Sequence, residues 1–260
     1  MGNTPKKYDL VLVHGLTNRH RWGHKFLEAC TDHWGSGRVF VIYLNRDSGV
    51  STAAIKSKRI TFAGKNNCSA GCDYISKQAK YMEEKVNILQ KHGLGRHFYI
   101  IAHSMGGLVS RFYSYNHPGA VAGLVTLGTP HHGSPLASTY SWLGRIALGA
   151  KNAFENLTPR WVEEFNRKYP VEGCQMYDNG KVYTIRGSAG GRPWEWGWGG
   201  ELFLGWHHLK WLCGTDSDGL VPYKSALIDG ARHLADLPGC HHLELVRDPR
   251  IVEICSGVLL

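Results

Sequence analysis

The stretch Phe98-Tyr-Ile-Ile-Ala-His-Ser-Met-Gly-Gly107 decides the fold. Phe98 to Ile101 is a short apolar run of strand character, and Met105 opens a segment of helical character. A strand that reverses sharply into a helix while presenting one side chain needs small residues two before and two after that side chain. Ala102 and Gly106 hold those places around Ser104. Glycine is the usual first small residue, and alanine is the next smallest. The stretch therefore reads as a nucleophile elbow with Ser104 as candidate covalent nucleophile, against the plainer alternative of an ordinary strand-turn-helix serine.

Outward from the elbow the chain alternates strand and helix, the pattern of a mostly parallel central sheet flanked by helices. Leu10–Val13 and Val39–Leu44 are apolar runs with a helical segment, Trp22 to Trp34, between them. Asn45 to Cys72 is polar and reads as loop with a short helical piece. Ile75, Ala79, Met82, Val86 and Leu89 share one helix face, and Gly93 stands where a C′ glycine ends the helix. After Ser104 the spacing predicts a helix from Met105 to Asn116, stopped by His117 and Pro118, and then the strand Val121–Leu127. This is a βαβ unit, and the crossover rule puts the serine at the carboxyl end of its strand, where open α/β sheets build their sites. From about 136 to 180 the strand pattern lapses into two helices, about Leu136–Ala150 and Pro159–Tyr169, the second with Thr158 as N-cap. They read as a cap insertion, or else as helices that complete the core. Val182–Arg186 resumes as strand. The Gly- and Trp-rich stretch 187–205, with Trp194, Trp196 and Trp198 on alternate positions, reads as a loop that suits an apolar wall for an acyl chain or an ordinary packed loop.

At 260 residues, with 43% hydrophobic and 20% charged residues, the chain is expected to form one globular domain over 1–260. No apolar run is long enough for a transmembrane anchor. The net charge of +9 comes from scattered Lys and Arg and not from a nucleic-acid module, so no nucleic acid is expected as partner. Positive charge favours approach to anionic surfaces such as a lipid–water interface, and otherwise only solvates the surface. Met1 to Lys7 has no apolar h-region, so the expectation is a cytoplasmic protein, or an extracellular one if this is a mature form. The seven cysteines form no dense framework; Cys68 and Cys72, four apart, suit a local disulfide or part of a metal site that has no adjacent partners.

A serine hydroxyl needs a base, an acid to orient that base, and donors for the developing oxyanion. Asp218 enters the turn Asp-Gly-Leu-Val and is preferred over Asp216, because the Asp-Gly pair aims the carboxylate. His242, late in the chain, completes the order Ser, Asp, His, with His241 as its rival. The backbone N–H groups of Leu16, after His14-Gly15, and of Met105 are the candidate oxyanion donors. Such a set is expected to hydrolyse esters through an acyl-enzyme on Ser104. An acyltransferase or thioesterase would use the same triad, and a noncatalytic binder would leave it idle.

Val11-Leu-Val-His-Gly15, Ala102-His-Ser-Met-Gly-Gly107, Thr126-Leu-Gly-Thr-Pro-His-His-Gly-Ser134, Asp218-Gly-Leu-Val221 and His242-Leu-Glu-Leu245 resemble, in order, the bacterial lipases of the α/β-hydrolase superfamily. The Thr126 segment and His242-Leu-Glu, with Asp248-Pro249 beyond, look most like the thermoalkaliphilic and staphylococcal branch. The resemblance implies the α/β-hydrolase fold, lipase or esterase activity on acyl esters such as acylglycerols, and no cofactor required for the chemistry. That branch also implies a structural calcium near the catalytic histidine, at the positions of Gly187, Glu244, Asp248 and Pro249. One residue fewer separates Glu244 from Asp248 here, and the branch's zinc-binding insertion has no counterpart. The alternative for the two carboxylates is capping of the last helix.

Overall fold

The computed structural model describes residues 6–17, 22–139, 150–191 and 198–260. Eight strands form one sheet: β1 (Asp9–Val13), β2 (Val39–Ile42), β3 (Val50–Ile55), β4 (Lys58–Ala63), β5 (Phe98–His103), β6 (Val121–Leu127), β7 (Val182–Ser188) and β8 (Arg232–Pro238). Their order is β3-β4-β2-β1-β5-β6-β7-β8. Only β3 runs antiparallel, paired to β4 at the sheet edge. The chain winds outward from β1 in both directions, so the ends of β1 and β5 lie side by side at the middle of the sheet, with Val13 opposite Ala102.

The central strands are unbroken apolar runs because both their faces are covered. Alternate side chains go to opposite faces. Val11, Val13, Ile100 and Ala102 pack with helix α2 (Ile75–Gln90) and helix α3 (Met105–Asn116). Leu10, Leu12, Tyr99 and Ile101 pack with Phe26, Cys30 and Trp34 of α1 (His24–Trp34) and with Ile251, Val252 and Cys255 of the C-terminal helix. The α2 helix closes as its glycine predicts. Leu94 N–H donates to Leu89 O at 3.0 Å around Gly93, whose φ is +103°. Its start is capped from afar, by Asn156 Oδ1 accepting from Ile75 N–H at 2.8 Å.

The segment 45–72 departs from the loop expected of it, since it contains the β3–β4 hairpin. The two-residue turn Lys56-Ser57 has φ of 42° and 66°. Two successive positive φ values match the twist of a hairpin, but glycine or asparagine is the usual sign of them in a sequence. The four central residues of β3 are exposed, so no buried face imposed an apolar alternation that would have revealed the strand.

Short helices α4 (Pro135–Thr139) and α5 (Lys151–Glu155) flank residues 140–149, so the helix expected over Leu136–Ala150 falls largely outside the described residues. Helix α6 (Pro159–Lys168) begins with Pro159 at its first position, as expected. Thr158 makes no side-chain cap there; its hydroxyl donates back to Glu155 O at 2.9 Å. Val162 and Phe165 of α6 join the same apolar cluster as α2 and α3, so this part of the 136–180 segment completes the core. The Gly- and Trp-rich stretch is not all loop: helix α7 runs Trp198–Trp211. Residues 192–197, with Trp194 and Trp196, lie outside the described residues. The last helix, α8, spans Pro249–Val258.

Candidate active site

Ser104 is the hinge between β5 and α3, with φ 53° and ψ −133°. A non-glycine residue in this region is strained and persists only where its surroundings fix it. Three contacts do so. Ser104 N–H donates to Leu127 O at 2.8 Å, Gly107 N–H donates to Ser104 O at 3.0 Å, and Thr129 Oγ1 donates to Ser104 O at 2.8 Å. The small residues around the serine have steric causes. A Cβ on Gly106 would lie 2.3 Å from His14 O, and one on Gly107 would lie 2.1 Å from Thr129 Oγ1. Ala102 is fully buried on β5.

The segment after β1 runs alongside Ser104. A Cβ on Gly15 would lie 2.6 Å from Ser104 Cβ and 3.2 Å from Ser104 Oγ. Leu44 N–H donates to His14 Nε2 at 2.9 Å, so the ring proton is on Nδ1, which donates to Gly15 O at 2.6 Å. Holding that carbonyl directs the Leu16 N–H of the same trans peptide the opposite way. Burial pushes the His14 imidazole down to about 4, so it stays neutral and keeps this tautomer. Met105 heads α3, where the first-turn N–H groups have no intrahelical acceptor.

Asp218 and His242 are brought together and buried. His242 Nδ1 and Asp218 Oδ2 are 2.7 Å apart, with side chains 3% and 2% exposed. The other carboxylate oxygen, Oδ1, accepts from Leu220 N–H at 3.1 Å and Val221 N–H at 2.8 Å, as an aspartate that makes its own turn does. His242 N–H also donates to Asp218 O at 2.8 Å. The rivals sit elsewhere: Asp216 pairs with Lys210 at the surface, and His241 accepts from Leu243 N–H at 3.2 Å and faces Glu244. The ring of His103, next to the serine, lies tilted by 44° against that of His242 at 4.5 Å between centroids, and its Nε2 donates to His242 O at 2.9 Å.

Residue-type reasoning overlooked Gly128. Its φ is +53°, and it abuts Asp218 and His242: a Cβ there would stand 2.8 Å from Asp218 Oδ2, 3.2 Å from His242 Nδ1 and 2.6 Å from Leu245 Cδ1. The signal for it was the Gly-Thr-Pro after an apolar strand, which marks a turn but not what the turn touches.

The residues matched to a calcium site have other partners. Glu244 Oε2 accepts from His241 N–H at 2.9 Å. Asp248 caps α8 by accepting from Arg250 N–H at 2.9 Å, and it pairs with the Arg250 guanidinium at 2.5 Å, which holds its carboxyl below the usual range. Pro249 is the first residue of that helix, and a Cβ on Gly187 would lie 2.2 Å from Cys240 O. Among the described residues no three His, Cys, Asp or Glu side chains group as a metal site. The donor set as it stands fits a turn clasp and a helix cap, and does not fit the cage of six to eight oxygens that calcium takes. Cys72 Sγ donates to Cys68 O at 3.1 Å, and no disulfide joins the two.

Helix α7 lies on the turn of the candidate acid. A Cβ on Gly205 would be 2.2 Å from Gly219 O, and the fully buried Leu202 packs at Gly219. Its outer side shows Leu204, Trp211 and, just past the helix, Leu212 at 64%, 76% and 75% exposure. No described helix is long and apolar enough to cross a membrane.

The fold has known relatives. The mature lipase BlEst2 of Bacillus licheniformis superposes with a TM-score of 0.70 at 22% identity, over 99% of this chain and 94% of that one. A metagenomic carboxyl esterase gives 0.65 at 16% identity, over 100% of this chain and 76% of that one. Lipase 1 from Pelosinus fermentans gives 0.57 at 12% identity, over 98% of each chain. At these identities the likeness is one of fold. Among curated proteins none matches this sequence. Residues 9–168, more than half of the chain, match the family described as alpha/beta hydrolase fold, and the protein belongs to that family.

Proposed function

We propose that this protein is a serine carboxylic-ester hydrolase acting on apolar acyl esters, acylglycerols among them. The observation that carries the reading is the buried 2.7 Å pair of Asp218 and His242, set against the strained elbow that presents Ser104. In the reaction Ser104 Oγ attacks the ester carbonyl while His242 takes its proton through Nε2. Asp218 holds the other ring nitrogen and stabilises the imidazolium. The N–H groups of Leu16 and Met105 receive the oxyanion, donors that need no reorganisation as charge develops. The alcohol leaves with the proton from His242, and water then cleaves the acyl-enzyme by the same steps.

An apolar substrate is supported by the exposed Leu204, Trp211 and Leu212 around α7, a surface suited to an acyl chain or a lipid–water interface. Relatives of this fold named lipase and carboxyl esterase agree with that class. The Thr126 segment and His242-Leu-Glu support a reading in which the protein is akin to the thermoalkaliphilic and staphylococcal lipases. The test is hydrolysis of p-nitrophenyl esters from short to long chain, with labelling of Ser104 by a fluorophosphonate. Ser104→Ala should remain folded, take no label and lose turnover by on the order of a millionfold. Turnover above about a hundredth of wild type would overturn the assignment.

A further inference from the structure

Arg111 lies on α3, two turns beyond the serine, and is fully buried. Its guanidinium is held by neutral acceptors. Nη1 donates to His131 Nδ1 at 3.2 Å and to Asn166 Oδ1 at 3.0 Å, and Nη2 donates to Tyr169 O at 2.8 Å. The Phe165 ring faces it at 5.3 Å. Tyr169 ends α6, so the cation also meets the negative end of that helix.

The direction of every hydrogen bond beyond Arg111 follows from the two ends of the chain. A guanidinium only donates, so His131 Nδ1 is the bare nitrogen and the proton sits on Nε2. Nε2 then donates to Thr126 Oγ1 at 3.0 Å, and the threonine hydroxyl donates to Tyr183 O at 3.1 Å. The backbone of His131 is tied as well: its N–H donates to Ser225 O at 2.7 Å, and its carbonyl accepts from Asn166 Nδ2 at 2.6 Å. His131 is the far end of the loop whose Gly128 abuts Asp218 and His242 and whose Thr129 holds Ser104 O.

We propose that Arg111 is a positioning residue for the reaction: by holding His131 in its Nε2-protonated form it sets the loop from Gly128 to His131, and through that loop the nucleophile and the acid–base pair. The same guanidinium fastens α6, so one buried cation ties the 136–180 segment to the catalytic loop. Burial, and then the Arg111 charge and His132, hold His131 well below the usual histidine range. Arg111 from α3 and the adjacent His132 are the charged or titratable groups that bear on it. Thr126 from β6, Asn166 from α6 and Ser225 are neutral.

The proposal rests on Ser104 being the nucleophile, and the experiment has two arms that fail separately. Nitrogen-15 imidazole spectra of the whole protein should show His131 as the Nε2–H tautomer alone from about pH 5 to about pH 9. An Nδ1–H tautomer, or protonation within that range, would overturn the proposal whether or not any variant folds. In the second arm, Arg111→Lys keeps the charge but loses the fork, and fluorophosphonate labelling of Ser104 should slow by about tenfold or more. Thr129→Val should also slow labelling, and the double variant should be no slower than the slower single one, since both act through one loop. Rate losses that multiply would overturn the proposal. Absence of label on the wild-type protein would instead sink the ester-hydrolase reading, with the tautomer still deciding the Arg111 arrangement.

Discussion

Replacing Gly128 with alanine tests the proposed catalytic pair without touching any of its members. The new Cβ would stand 2.6 Å from Leu245 Cδ1 and 2.8 Å from Asp218 Oδ2. Carbon atoms in contact sit about 3.5–4.0 Å apart, so the leucine, fully buried, would have to retreat by about 1 Å, and the carboxylate by roughly half that. The carboxylate cannot move so far and keep both its 2.7 Å bond to His242 and its 2.8 Å bond from Val221 N–H. At φ +53° an alanine also meets left-handed strain of about 1–2 kcal/mol. With overpacking of about 1–3 kcal/mol, the expected destabilisation is about 2–5 kcal/mol. Loss of a well-placed acid costs about ten-thousandfold in turnover when complete. Partial displacement should cost about a hundredfold to a thousandfold in kcat, with KM for a short ester little changed. Gly93→Ala is the control: φ is +103° there and nothing lies within 4 Å, so it should show strain alone, a lower melting temperature and full turnover. The assay is kcat and KM for p-nitrophenyl butyrate beside a thermal melt, for both variants. A Gly128→Ala protein that melts early but turns over like Gly93→Ala would refute the reasoning, because the collision would then not reach the pair.

The choice of acid is checked by Asp218→Asn, expected to lower turnover by roughly ten-thousandfold, against Asp216→Asn, which loses only a surface pair with Lys210 and should change it little. His14 should make the fold acid-sensitive. Its folded value is about 4 against an ordinary 6.5, so the unfolded chain binds the extra proton between those values, and the stability held above pH 6.5 is lost as pH falls towards 4. That loss is on the order of 3 kcal/mol, and urea unfolding at pH 7 and pH 4.5 should show a smaller drop for His14→Asn than for wild type. With Glu244 and Asp248 engaged in a clasp and a cap, melting in calcium and in chelator should agree. A calcium-dependent rise of several degrees, lost in Asp248→Asn, would restore the ion.

What the sequence by itself determined was whatever depends on neighbours along the chain. The apolar runs at Leu10–Val13, Phe98–Ile101 and Val121–Leu127 had to be strands covered on both faces, and Ala102 and Gly106 had to flank a sharp turn at Ser104, because residue size and period act locally. Gly93 ended its helix for the same reason. The β3–β4 hairpin escaped because an exposed edge strand carries no burial pattern and its turn uses Lys56 and Ser57 where glycine is usual. Helix α7 hid among glycines and tryptophans, since its docking depends on Gly205 meeting the Gly219 turn, a contact between distant segments. The Asp-Gly turn and the order along the chain favoured Asp218 and His242, but only the tertiary structure brings the two into contact. Residues 24 apart along the chain meet only when β7, β8 and the turns after α7 and β8 are assembled. It also decided the roles of Gly128 and of Arg111 with His131. A glycine next to a carboxylate and an arginine inside a core read as ordinary turn and surface residues until packing sets what surrounds them, because burial and contact are properties of the assembled fold.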